Sequence, residues 1–189
     1  IAVNLASSRL AVVGTRTVVT SVTTDLSLAI NLENIVAGAG KDTLTGNAAD
    51  NVLEGGAGSD SLSGGAGNDR YLFRDAAAAE ADTVTELAGQ GLDTLDFSAL
   101  SASVNVTVNL SSDSALASHT RRTVKTGTNL AANFENVIGG AGNDTLTGNA
   151  GNNQLDGMAG NDSLSGSLGN DSLLGGSGLD MLLGGPGTN

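Results

Sequence analysis

The chain has 189 residues, among them 28 glycines, one proline, no cysteine and only 2 % aromatics, which excludes an aromatic-rich core, a sugar-stacking platform and a disulfide-stapled domain. Its formal net charge of −12 makes nucleic acid an unsuitable partner, and no apolar run reaches the length of a membrane-spanning helix, which predicts no membrane insertion. The acids recur at fixed places in glycine-rich stretches, so the acidity reads as cation binding and not as a disordered acidic tail.

Residues 1–36 read as strands. Ile1, Val3 and Leu5 alternate, as do Leu26, Leu28, Ile30 and Leu32, and the Thr/Val/Ser-rich stretch from Thr15 to Thr24 has high β propensity. A block of nonapeptides then runs over residues 37–72. Its first copy is Ala37-Gly-Ala-Gly-Lys-Asp-Thr-Leu-Thr45, and its third is Gly55-Gly-Ala-Gly-Ser-Asp-Ser-Leu-Ser63. Position six holds Asp42, Asn51, Asp60 and Asp69, and position eight holds Leu44, Leu53, Leu62 and Tyr71.

Residues 73–87 lose the glycines, and the four alanines 76–79 predict a helical turn or a bulging loop. One isolated copy follows, Ala88-Gly-Gln-Gly-Leu-Asp-Thr-Leu-Asp96, with Asp93 at position six as a weaker metal candidate. From Ser103 to Leu110, alternation places Val104, Val106, Val108 and Leu110 on one face of a strand. Residues 111–128 read as a polar, irregular loop, with His119 solvent-exposed and Arg121, Arg122 and Lys125 solvated.

The second block runs over residues 139–189. Leucine falls at 146, 155, 164, 173 and 182, and position six is Asp144, Asn153, Asp162, Asp171 and Asp180. A longer period joins the blocks: Asn31-Leu-Glu-Asn-Ile35 and the repeat after it match Asn133-Phe-Glu-Asn-Val137 and its repeat. The chain therefore divides into two units, 1–102 and 103–189, each a strand-rich lead-in followed by a repeat block. It begins without methionine and ends inside a repeat, and so reads as a piece of a longer polypeptide.

The spacing has a physical reading. Glycines at positions one, two and four permit a tight loop whose carbonyls face inward, and the position-six aspartate adds a carboxylate. Such all-oxygen ligation suits calcium, a hard cation that takes six to eight oxygens. Positions seven to nine form a short strand with the leucine inward. One buried leucine stabilises by about 1.5–3 kcal/mol, less than the cost of ordering nine residues at roughly 1–2 kcal/mol each. Metal binding and folding are therefore expected to be one event. The pattern is the nonapeptide of calcium-binding parallel β-helices.

Both blocks resemble the repeats-in-toxin (RTX) family of secreted bacterial proteins. The resemblance implies an all-β fold, a parallel β-roll built as a right-handed solenoid, with several calcium ions in its turns. Stacking of coils then pairs Asp42 with Asp60 and Asn51 with Asp69. It also aligns Asp144, Asp162 and Asp180 on one edge, and Asn153, Asp171 and Asn189 on the other. Carbonyls at Gly38, Gly40, Gly56, Gly58, Gly65 and Gly67, and at Gly140, Gly142, Gly160, Gly169, Gly176 and Gly178, are expected to complete the shells. Asn51, Asn153 and Asn189 predict weaker or empty sites, with Asp50 compensating for Asn51, and Ser167-Leu168 predicts a distorted loop.

The resemblance further implies export of an unfolded chain by a type I system and folding outside the cell, giving a secreted or bacterial cell-surface location. The duplicated unit favours a rigid stalk, adhesin or surface-layer segment, with neighbouring copies or further repeats of the chain as partners. The alternative is a non-catalytic module of an extracellular RTX enzyme such as a lipase, protease or alginate epimerase. A single histidine, no cysteine, no H-E-x-x-H and no G-x-S-x-G argue against catalysis in this segment.

Overall fold

The computed structural model describes residues 2–4, 33–128 and 130–189, the first three by their backbone alone. The strands expected at Ile1 and between Leu5 and Leu32 lie outside the described residues. In the first block each nonapeptide gives one three-residue strand: β2 (Asn34–Val36) precedes the block, and β3 (Thr43–Thr45), β4 (Val52–Glu54), β5 (Ser61–Ser63) and β6 (Arg70–Leu72) follow. The central residue of each is buried because the glycine loops on both sides turn the chain and leave one inward side chain per strand. Successive strands fall alternately in two sheets, so that β3 pairs with β5 in parallel, Leu44 opposite Leu62, and β4 pairs with β6, Leu53 opposite Tyr71. A backbone strand β1 (Ala2–Asn4) pairs with β3 on the outer side.

The second block repeats the arrangement. β12 (Asn136–Ile138), β13 (Thr145–Thr147), β14 (Gln154–Asp156), β15 (Ser163–Ser165), β16 (Ser172–Leu174) and β17 (Met181–Leu183) alternate between the same two sheets. Leu146, Leu155 and Leu164 are buried, whereas Leu182, in the end strand β17, is 48 % exposed. The fold is thus an all-β parallel roll with a ladder of leucines between its sheets.

Between the blocks the structure holds more strand than the sequence predicts. The alanines 76–79 make a bend and no helical turn, and β7 (Glu80–Thr85) follows as a six-residue strand against β5. The copy at 88–96 supplies β8 (Thr94–Asp96), which pairs with β6 on one side and β12 on the other. One sheet, in the order β16-β14-β12-β8-β6-β4-β2, therefore runs through both blocks without a break, across the 102/103 boundary.

The opposite sheet widens at the same level. β9 (Val106–Asn109) sits beside β13, and the gap between β9 and β7 is filled by a hairpin, β10 (Ala117–His119) and β11 (Arg122–Lys125). The hairpin closes through Thr120-Arg121, with His119 opposite Arg122, and its strands are antiparallel to each other and β10 antiparallel to β9. The expected solvated loop is a pair of strands, and His119 and Arg122 are 6 % and 3 % exposed, not solvated as the polar composition predicts. Val106, Val108 and Leu110 share a buried face as their alternation predicts, with Val104 half-buried before the strand starts.

All four aromatic residues of the chain gather at this joint. Phe73 stacks on Phe97 with centroids 4.9 Å apart, Tyr71 meets Phe134 edge-on at 6.1 Å, and His119 stands edge-on to Phe97. Two coils of single leucines are thereby replaced by a locally conventional hydrophobic core that also holds Leu100, Leu110, Leu116 and Val124.

Two repeat loops carry backbone strain. Position two takes positive φ in Gly56, Gly65 and Gly176, and the same geometry is imposed on Met158 (φ 71°) and Ser167 (φ 76°). Ser167-Leu168 does not distort its loop as the sequence predicts, because the neighbouring coils hold it: Asn170 N donates to Asn152 Oδ1 at 2.8 Å. The left-handed region costs an L-residue about 1–2 kcal/mol, and glycine's greater unfolded freedom returns part of that. Met158→Gly is expected to stabilise the folded chain by about 0.5–1 kcal/mol in calcium, read as the urea midpoint; a loss of stability would mean that the strain is carried elsewhere.

Candidate metal centres

Each position-six side chain is set by the residue one coil earlier. The amide of Asp42 donates to Asp60 Oδ1 at 2.9 Å and that of Asn51 to Asp69 Oδ1 at 2.8 Å, both across 18 residues. In the second block Asp144 N donates to Asp162 Oδ1, Asp162 N to Asp180 Oδ1, Asn153 N to Asp171 Oδ1, and Asp171 N to Asn189 Oδ1, at 2.7–3.0 Å. The residue pairs read from the sequence are therefore brought together along the edges of the roll.

That bond uses one carboxylate oxygen. The other, Oδ2, is buried without a hydrogen-bond partner in Asp60, Asp69, Asp162 and Asp171. In each of these it lies against the first glycine of its own repeat, Gly55, Gly64, Gly157 or Gly166, where a Cβ would collide with it. The loops of successive coils stack closely, carbonyl over glycine: a Cβ on Gly58 would strike the carbonyl of Gly40, one on Gly56 that of Gly38, one on Gly160 that of Gly142, and one on Gly178 that of Gly160. Gly65 and Gly67 sit likewise over Asn47 and Ala49, Gly169 over Gly151, and Gly176 over Met158. Gly140 is tied differently, its amide donating to Asp144 Oδ2 at 2.7 Å. A buried carboxylate oxygen without a donor is costly. An oxygen-seeking divalent cation satisfies it, and loop carbonyls are the other oxygens at hand, so these residues fit calcium.

The asparagine positions are arranged otherwise. Asn153 Nδ2 donates to the carbonyl of Glu135 at 3.2 Å and to Asn149 Oδ1 at 3.3 Å, and Asn189 Nδ2 donates to the carbonyl of Gly185 at 3.0 Å. The amide group supplies the positive end that aspartate lacks. Asp50, expected to compensate for Asn51, accepts through Oδ1 from Asn68 N at 2.7 Å on an exposed outer ladder of position-five side chains. Asn143, Asn152, Asn161 and Asn170 continue that ladder in the second block.

A third arrangement ends the Asp42–Asp60 edge. Asp60 N donates to Asp82 Oδ1 at 2.9 Å, 22 residues on, so Asp82 in β7 takes the position-six role without a nonapeptide around it. The Arg122 guanidinium then meets Asp82 Oδ2 at 3.0 Å, pairs with Glu80, and donates to the carbonyl of Gly56 at 2.7 Å. On the other edge, Asp69 N donates to Asp93 Oδ1 at 2.9 Å and Asp93 N to Glu135 Oε2 at 2.9 Å. The copy isolated in sequence is thus stacked within a continuous ladder. Asp82, Glu135 and Arg122 escape a reading by nonapeptides; the triplet Asp82-Thr-Val84, which mimics Asp60-Ser-Leu62, is the one local signal for the first.

Burial pushes the carboxyls of Asp60 and Asp69 up to about 6, and those of Asp82, Asp93, Asp144 and Asp162 also upward. A carboxyl whose folded pKa is raised above its usual 3.8 penalises the metal-free fold fully above about pH 6, and the penalty fades as the pH falls toward 4. Protons and calcium therefore compete for the same oxygens. The calcium midpoint of folding is expected to rise as the pH drops through about 6, while the metal-free fold gains stability over the same window. A calcium midpoint that stays constant from neutral pH to below that value contradicts this arrangement.

A family model described as the RTX calcium-binding nonapeptide repeat (four copies) matches residues 35–71, 132–164 and 156–189. No curated protein matches the chain.

Proposed function

The chain belongs to the RTX calcium-binding nonapeptide-repeat family, and we propose that it is a rigid structural module, a stalk, adhesin or surface-layer segment of a secreted or cell-surface protein that folds on calcium outside the cell. The observation that carries this reading is the row of buried Oδ2 atoms without donors at Asp60, Asp69, Asp162 and Asp171. In calcium-poor cytosol these charges oppose closure of the coils and keep the chain open for type I export. Extracellular calcium sites typically bind at about 10⁻⁴–10⁻³ M, so the external medium supplies the missing charge.

The sheet from β2 to β16 runs unbroken through both blocks, which supports the reading of a stiff structural segment. Leu182, at the inward position of the end strand β17 and 48 % exposed, suits a further coil stacked on it, from more repeats of the chain or a neighbouring copy. No helix among the described residues is long and apolar enough to cross a membrane.

Calcium titration calorimetry of the wild type and Asp162→Ala tests the ligand assignment. Asp162 sits between Asp144 and Asp180, so its loss removes a carboxylate from a three-coil edge. The variant is expected to bind fewer ions and to need at least about tenfold more calcium for half-folding, a difference of about 1.4 kcal/mol. Unchanged stoichiometry and midpoint would reject Asp162 as a ligand.

A further inference from the structure

The joint between the blocks brings an acid from outside the nonapeptide pattern, Glu86, against two position-six aspartates, Asp69 and Asp93. Asp69, Glu86 and Asp93 each offer a carboxylate oxygen, and the three lie within 4.8 Å of one another. All three residues are 1 % exposed. The coil from Asp69 to Asp93 spans 24 residues where a regular one spans 18, and Glu86 comes from the additional length just after β7. Its carboxylate is aimed by two donors: the Tyr71 hydroxyl donates to Glu86 Oε1, and Gly64 N approaches the same oxygen at 3.3 Å. Asp69 Oδ2 lies against that same Gly64 and has no hydrogen-bond partner.

The opposite edge is balanced differently. There the ladder ends on Asp82, and Arg122 answers its charge. Here no arginine, lysine or histidine forms an ion pair with Asp69, Glu86 or Asp93 among the described residues. Three buried carboxylates in one place need a counter-charge or must hold protons. Oxygen donors alone, with no nitrogen or sulfur, select a hard cation, and flexible carboxylates without fixed octahedral geometry favour calcium over magnesium.

We propose that Asp69, Glu86 and Asp93 form a calcium site at the joint, with Glu86 as a ligand from outside the repeat pattern and Tyr71 as the residue that positions it. This rests on the reading that the chain takes calcium, and it adds that one ion clamps the long coil of the joint onto the first block. The alternative occupant is a proton shared between Glu86 and its neighbours, with no metal.

Tyr71 makes the site separately observable, because it is the chain's one tyrosine and there is no tryptophan. Terbium replaces calcium at oxygen sites and emits when a nearby excited tyrosine transfers energy to it. The wild-type chain is expected to show tyrosine-sensitised terbium emission that excess calcium removes. Glu86→Gln should lose that emission and bind one calcium fewer, while keeping the calcium-induced far-UV circular dichroism of the blocks. Emission and ion count unchanged in Glu86→Gln overturn the proposal. If Glu86→Gln does not fold, Glu86→Asp, which retracts the carboxylate, should shift the terbium midpoint to higher concentration, and an unshifted midpoint overturns the proposal. A wild type that folds on calcium yet shows no sensitised emission also overturns it and leaves the calcium-folding reading intact; a wild type that does not respond to calcium at all rejects that reading.

Discussion

Arg122→Ala is expected to destabilise the calcium-loaded fold by about 3–5 kcal/mol, the usual consequence of removing one partner of a buried ion pair. Arg122, Glu80 and Asp82 have side-chain exposures of 3 %, 6 % and 1 %, so alanine strands two acids away from water. It also removes the donor to the Gly56 carbonyl and the cation that stands 5.9 Å from the Phe73 ring centre. The guanidinium serves here as an internal cation on an edge whose other loops, on the proposed function, take an external one. Two checks separate this from a surface effect. A loss below about 1 kcal/mol in urea denaturation would class the contact with exposed salt bridges. The double variant Arg122→Ala with Asp82→Asn should recover part of the loss, because it neutralises one of the stranded charges.

Phe97→Ala should cost about 3–5 kcal/mol, even in saturating calcium. Phe97 is fully buried, stacks on Phe73 and carries His119 on its edge. No small residue nearby can fill the space of a ring at the point where one sheet gains two strands over the other. The lost energy is packing energy, so additional calcium should not restore it. Denaturation curves at rising calcium test this: the gap between wild type and variant should stay constant once the sites are full. A gap that closes with calcium would mean that the joint, like the blocks, is held by metal.

These two residues also mark where the sequence stops being legible. The repeat blocks can be read from local pattern, since every ninth residue is inward and every position-six residue meets its counterpart 18 residues away. Leu44, Leu53, Leu62, Leu146, Leu155 and Leu164 all lie in the core where the period puts them. The joint obeys no such period. Glu80 meets Arg122 across 42 residues, Gly56 meets it across 66, and Asp93 reaches Glu135 across 42. A polar stretch such as Thr120-Arg-Arg-Thr-Val-Lys125 has the composition of a solvated loop until a distant acid makes burial of its arginine tolerable. His119 misleads in the same way: its imidazole is buried against Phe97, and desolvation with the neighbouring guanidinium holds its pKa below the ordinary value, so it stays neutral in the core. The strand β7 is hidden for a different reason. It keeps the Asp-x-apolar half of the repeat, Asp82-Thr-Val84, and drops the glycines that announce the rest.

The joint and the blocks thus use different means to balance the same loop carbonyls and carboxylates: a guanidinium at Arg122, side-chain amides at Asn153 and Asn189, and donor-poor carboxylates at Asp60, Asp69, Asp162 and Asp171. The last group is the one we propose takes a metal, on the argument that one buried leucine per nonapeptide stabilises by less than the ordering of nine residues costs.

Far-UV circular dichroism of the 189-residue chain during a calcium titration, with magnesium as the control, tests that proposal most directly. The expected result is a weak β signal in chelator, a cooperative gain with calcium, and no comparable gain with magnesium. A full β signal in chelator, unchanged by calcium, would contradict the account, because the leucines and the joint would then suffice to close the roll.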